Sequence, residues 1–303
     1  MSNDTKTKLT IGQIFIIISA SLASFMAVLD TYIVSIATPT IAEHFNVSIS
    51  SVSKIMIVYS LILTTTVLIF GKLGDKFGLK KVFILGFVIF TLGSFLCGIS
   101  PSFNLLIAAR AIQALGGAML FSMGLAITPK FLPMNVRGLG YGISSTFASL
   151  GIMLGNPIGG FITALWSWHW VFFINVPVGI LAVIIAFKAL PNDQISKNIS
   201  WSFDLIGTIL LFIAIPLLIF TINNGQTFGW LSFHTIVFFL LALFFLVLFF
   251  IQERTYHDPL LHFDLLKSKV FMATISSLGV IYGLLAGSSF LLPFLLEKVD
   301  LLK

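Results

Sequence analysis

Two ionisable side chains stand where an apolar helix should carry none. Asp30 lies inside the hydrophobic run from 12 to 37, and Arg110 inside the run from 104 to 128. A charge at the centre of a membrane helix costs about 2.5–3.5 kcal/mol on the insertion scale, so each calls for a partner or a task. The first run is read as crossing outward and ending about seven residues past Asp30; the fourth crosses inward and begins about six residues before Arg110. At 1.5 Å per residue, both then lie roughly 9–10 Å below the outer boundary. That spacing allows a facing ion pair. Such an aspartate can take up and release a proton, with Arg110 tuning its proton affinity and orienting water or substrate. The same spacing also fits a static pair that fixes helix register.

A second group of charges lies between the second and third runs, in Gly71-Lys-Leu-Gly74-Asp75-Lys76-Phe-Gly78-Leu-Lys80-Lys81. Its glycines permit a tight turn, and its lysines serve membrane orientation in any case. Asp75 gains nothing from that rule. A carboxylate there can cap a neighbouring helix N-terminus, a contact that breaks when the protein changes conformation. In the fifth run Gly151, Gly155 and Gly159 recur every four residues, with Pro157 and Gly160 beside them. Small residues so spaced make a flat stripe for close helix approach, and Pro157 is expected to kink the helix. Packing explains the stripe as well as gating does. The histidines fall at segment edges or in connectors without metal-ligand spacing, and Cys97 is the single cysteine. No metal or other cofactor is expected. Phosphate loops, nucleophile elbows and HExxH are missing too, so enzyme chemistry has no candidate site.

The elements that must position these residues are membrane helices. Hydrophobic residues make up 58% of the chain, charged residues 9%, and the mean hydropathy is +1.08. A soluble surface of this size needs far more charge. In a bilayer of about 30 Å the long apolar runs must fold as helices to satisfy their backbones. Nine helices are expected, over 12–37, 51–70, 82–99, 104–128, 139–165, 170–190, 204–222, 233–251 and 270–296. The net charge of +6 does not indicate nucleic acid, because its basic residues sit in short connectors on one side. With the N-terminus in the cytoplasm, thirteen of the 17 lysines and arginines fall inside, Lys54, Lys298 and Lys303 outside, and Arg110 within a helix. All five tryptophans are expected at helix ends, as an interfacial belt. Ala20-Ser-Leu-Ala23 resembles a signal-peptidase site, but the apolar run continues past it.

Taken together, these segments resemble the major facilitator superfamily, and within it the fourteen-helix drug:proton antiporters. Leu29-Asp30-Thr-Tyr-Ile-Val-Ser-Ile-Ala37-Thr-Pro39 is similar to their first-helix motif, whose aspartate is tied to proton coupling. Gly71 to Lys81 resembles the signature loop, with Lys76 and Leu79 at usual arginines. Arg110-Ala-Ile-Gln113-Ala-Leu-Gly116-Gly117-Ala118 resembles the fourth-helix motif, with Ala114 at a usual glycine. Gly151 to Gly160 resembles the fifth-helix antiporter motif, although Asn156 stands at the usual proline and Pro157 follows it. Trp168-His-Trp170-Val-Phe-Phe-Ile-Asn175-Val-Pro177-Val-Gly179 resembles the start of helix six, with His169 at a usual arginine.

The resemblance implies an all-α integral membrane bundle of the major facilitator type. It divides the chain into a six-helix half (1–190), an inserted helix pair (191–252), and a cytoplasmic loop with the first helix of a second half (253–303). It also implies a multi-pass protein of the cell membrane that exports drugs or other amphipathic molecules against protons. Its partners would be a small-molecule substrate, protons and lipid. Alternating access in such folds needs two halves about a central site, so a chain ending after nine helices is expected to be a truncated copy. Three other readings are an exporter of an ordinary metabolite or lipid, a non-transporting scaffold or remnant, and a half-transporter that dimerises. Nothing in the sequence sets the oligomeric state.

Overall fold

The computed structural model describes residues 9–193, 204–260 and 263–300. Among these residues it is entirely helical. Eight helices are long and apolar enough to span a bilayer. They are α1 (Ile11–Phe45), α2 (Ile49–Phe77), α3 (Leu79–Gly98), α4 (Phe103–Phe131), α5 (Met134–Leu165), the pair α6 (Trp170–Phe173) and α7 (Asn175–Ala189), which form one span, α8 (Leu205–Phe228) and α9 (Phe233–Thr255). A short helix α10 (Phe263–Lys267) follows, then α11 (Lys269–Asp300) in the place of the ninth expected span. Lys6, Lys8, Lys197, Trp201, His262 and Lys303 lie outside the described residues.

Capping chemistry fixes where the helices begin. Thr10 and Gln13 form a reciprocal capping box at the start of α1, and Asn46 closes it in the left-handed conformation at φ 54°. Ser48, Ser102 and Ser232 cap α2, α4 and α9 through their hydroxyls. The connectors are shorter than expected because helices extend into them. α1 runs through Pro39 instead of ending near residue 37. The charged segment Gly71–Lys81 is helical except at Gly78, whose φ of 101° makes the break between α2 and α3. Between α4 and α5 only Leu132 and Pro133 intervene, and Arg137 Nε donates to the Leu132 carbonyl at 3.0 Å.

α1, α2, α3, α4, α5 and α7 form one bundle in which α1 packs on α5 and α3 on α4. Its buried side chains make two apolar clusters, one around Phe83, Phe87 and Phe90, the other around Ile33, Leu106 and Phe172. The outward faces carry exposed Leu, Ile and Phe along most helices, as lipid contact requires. α8 and α9 pack as a pair beside α2. Asp204 joins them, accepting from Gly207 N at 2.7 Å and Gln252 Nε2 at 3.1 Å. The tryptophans divide. Trp166, Trp170 and Trp230 are exposed as a belt should be, whereas Trp168 is 1% exposed and fills the core between α1 and α6.

Candidate functional site

Asp30 and Arg110 meet at the centre of the bundle, and both side chains are fully buried. Arg110 Nη1 donates to Asp30 Oδ2 at 2.7 Å. Asp30 Oδ1 accepts twice more, from Gln113 Nε2 at 2.8 Å and from Asn175 Nδ2 at 2.9 Å. α4 therefore supplies two donors and α7 the third. Gln113 is gripped at both ends: Oε1 accepts from Arg110 Nη1 at 2.6 Å, and Nε2 also donates to Ser94 Oγ at 2.7 Å. The Cys97 thiol lies 3.7 Å from the same Gln113 Oε1. The rest of the guanidinium sits over aromatic rings, 4.3 Å from the Tyr59 centroid and 5.7 Å from that of Phe172.

Close backbone approach makes this placement possible. A Cβ at Gly93 would fall 2.5 Å from Gln113 Cα, and one at Gly116 2.3 Å from Phe90 N. These two glycines bring α3 against α4 and set Ser94 beside Gln113. On the other side, α5 lies against the turn of α1 that carries Asp30. A Cβ at Gly155 would stand 2.5 Å from Tyr32 Cβ, and those at Gly151 and Gly159 3.0 Å from the Phe25 and Ile33 carbonyls. The expected stripe is therefore a packing surface at the candidate site. Pro157 is exposed, α5 continues through it, and Gly160 has only Ile36 near it at 4.0 Å.

The charged segment lies elsewhere. Lys72 is about 20 Å along α2 from Tyr59, and Lys130 about 30 Å along α4 from Arg110. Gly71 and Gly74 make no turn; they pack within α2 against Ser122 and Met123 of α4. The helix cap expected of Asp75 is made by Asp193, which follows α7. Its Oδ2 accepts from Lys80 N at 2.8 Å, at the first turn of α3, and Lys130 Nζ lies 2.9 Å from its Oδ1. Lys80 Nζ also donates to Asn192 Oδ1 at 3.2 Å. Asp75 instead lines a cleft of about 310 Å³ with Lys72, Ser122 and Leu260, and Lys72 pairs with Asp258 from the segment after α9. Lys76 and Lys81 stay at this end of the bundle without entering the buried site.

At the opposite end, His169 stacks on Trp168 at 3.8 Å, shares a hydrogen bond with Ser167 Oγ at 2.7 Å and faces His44 at 5.5 Å. Burial, and then His44, hold its pKa below the usual histidine value. Among the described residues no group of three or more His, Cys, Asp or Glu has metal-site geometry.

The geometry now stands beside known proteins. Residues 20–301 match the Major Facilitator Superfamily. The chain belongs to that superfamily. It is 35% identical over 286 residues to "Riboflavin transporter RibZ" of Clostridioides difficile, covering 94% of this chain and 61% of that protein. To "Multidrug resistance protein 3" of Bacillus subtilis it is 33% identical over 283 residues, covering 92% and 54%. Among solved structures, a peptide transporter crystallised with sulfate aligns with a TM-score of 0.61 at 14% identity, over 82% of this chain and 54% of that one. That likeness concerns the fold alone. The chain thus spans between half and two thirds of the length of the two relatives, one named as a riboflavin transporter and the other as a multidrug resistance protein.

Four members of the site carry no role on residue type and spacing alone: Asn175 and Gln113 stand only inside motifs, and Ser94 and Tyr59 in none. The available signal was weak: polar residues in apolar helices, at positions that face one another only once Gly93 and Gly116 let α3 and α4 touch.

Proposed function

We propose that the chain is the proton-handling part of a superfamily exporter that moves drugs or other amphipathic small molecules outward against protons. One observation carries the reading. A fully buried aspartate is matched to a single arginine and two amides, in a helix whose other face packs on a glycine stripe. A purely structural pair would serve register with less, and replacing such pairs by apolar residues is often neutral or stabilising. Ionisable residues inside membrane helices pair with one another and mark proton relays.

In this reading 1–190 is a transporter half, 191–252 an inserted pair, and 253–303 leads into a second half. The N-terminus lies in the cytoplasm of a plasma-membrane protein, so that Lys72, Lys80 and Lys130 face inward. The experiment is proton flux into proteoliposomes holding the whole exporter that contains the chain, with and without a panel of cationic dyes, amphipathic drugs and riboflavin. Substrate-dependent flux that Asp30→Asn abolishes, with the variant still inserted, is the expected result. Flux unchanged in Asp30→Asn removes the aspartate from the mechanism, and no flux with any substrate favours a non-transporting membrane role. A response to riboflavin alone would favour a metabolite exporter over a drug exporter.

A further inference from the structure

Every group that hydrogen-bonds Asp30 is a donor. Arg110 Nη1 reaches Oδ2, while Gln113 Nε2 and Asn175 Nδ2 reach Oδ1. This set suits a carboxylate, which only accepts, and not the carboxylic acid, whose O–H must donate. A proton arriving on Asp30 therefore meets no acceptor among its present partners. One of them has to change.

The three differ in their freedom to do so. Arg110 has no acceptor atom. Gln113 is engaged at both ends, through Arg110 Nη1 and the Cys97 thiol on Oε1 and through Ser94 on Nε2. Turning its amide over would point an NH₂ at the guanidinium. Asn175 is 1% exposed and tied at one end only: Nδ2 donates to Asp30, while Oδ1 is buried without a hydrogen-bond partner. Rotation about its terminal sp³–sp² torsion exchanges the two ends at little strain. It breaks one hydrogen bond and presents an acceptor where a donor stood.

Resting on the proton-carrier reading of Asp30, we infer that Asn175 is the positioning amide that lets the site hold both charge states. It donates to the carboxylate, and it turns over to accept the O–H once Asp30 is protonated. The step balances: a hydronium ion entering from water gives its proton to Asp30, leaving neutral Asp30 and a water. Arg110 keeps its charge and loses its counter-ion. The other titratable groups beside the pair are Tyr59 on α2 and Cys97 on α3. The Tyr59 hydroxyl is also buried without a partner and is the rival acceptor.

The test is infrared difference absorption of the membrane-reconstituted chain as the pH is lowered. A carboxylic-acid C=O band should grow in, and Asp30→Asn should remove it. An amide C=O change should accompany that band and vanish in Asn175→Leu. In that variant the acid band should move to higher frequency, as befits an O–H without an acceptor, and Asn175→Ser, which restores an oxygen, should return it towards the original. A wild-type acid band already at the free-acid position, or one unmoved by Asn175→Leu, overturns the inference. So does a band that moves in Tyr59→Phe instead. Should Asn175→Leu fail to fold by circular dichroism, the wild-type amide signal, its loss in Asn175→Ser and the Tyr59→Phe spectrum still decide. A titrating band that survives Asp30→Asn, or no titrating band at all, fails the proton-carrier reading itself, a result distinct from these.

Discussion

The Asp30 and Asp193 side chains are 0% and 4% exposed and both gather donors from other elements, yet the two sites are built differently. Asp30 receives only side-chain donors, and its arginine is as buried as it is. Asp193 receives a backbone N–H at the start of α3 and a lysine whose side chain is 41% exposed. Solvent reaches the lysine at Asp193, whereas both partners of the Asp30 pair are fully buried in this conformation. The comparison separates a charge pair sealed inside the bundle from a carboxylate that closes a helix end beside solvent. It predicts that similar deletions at the two will have unequal costs.

The largest effect is expected inside. Removing one partner of a buried pair leaves an unpaired charge and destabilises by about 3–5 kcal/mol. Asp30→Ala or Arg110→Leu alone should lower the melting temperature of the purified chain sharply, and the double replacement should recover much of the loss. Additive losses in the double variant would show that the two charges do not act as a pair.

Next comes the packing behind Asp30, which involves no charge. Gly155→Leu places a side chain where even a Cβ would be 2.5 Å from Tyr32 Cβ. It should cost about 1–3 kcal/mol as overpacking and disturb the Asp30 network while leaving the Asp193 end intact. Gly160→Leu, with only Ile36 near at 4.0 Å, should change the melting temperature little. Equal effects from both would refute the packing role given to Gly155.

Asp193→Ala removes an N-terminal partner of α3 and should cost about 0.5–2 kcal/mol, the range for lost helix caps. Asp193→Asn keeps an accepting oxygen and should cost less. A loss as large as that of Asp30→Ala, measured by the same melt, would erase the distinction between the two sites.

How much of this was legible in the sequence follows from the same distinction. The all-helical membrane fold came from runs of apolar residues, which a bilayer permits to fold in one way only. The Asp30–Arg110 pair came from depth, since a charge in an apolar run has few places to go. Asp75 and Asp193 show where this reasoning runs out. Both lie near the charged end, and the choice of which one caps α3 depends on how the chain leaves α7, which no local pattern encodes. The Gly71–Lys81 segment read as a loop because glycine and lysine look like a connector. In the structure Gly71 and Gly74 serve contact with α4, and only Gly78 turns the chain. Trp168 looked like a belt residue by position. Its ring is instead taken up by the stack with His169 and by Phe172, a tertiary contact invisible to periodicity.

The smallest effect is expected where solvent reaches both partners. The side chains of Lys72 and Asp258 are 18% and 32% exposed, so their attraction is weakened by water and salt and should contribute about 0–1 kcal/mol. Lys72→Ala should therefore barely move the melting temperature, and the small difference from wild type should shrink as ionic strength rises. Lys72 Nζ also donates to the Pro259 carbonyl at 3.2 Å, so the same variant should loosen the segment that carries Leu260 into the Asp75 cleft. Faster protease cleavage near residues 256–260, with global stability unchanged, is the expected signature. Cleavage at the wild-type rate would mean that Leu260, and not the ion pair, holds that segment against α2.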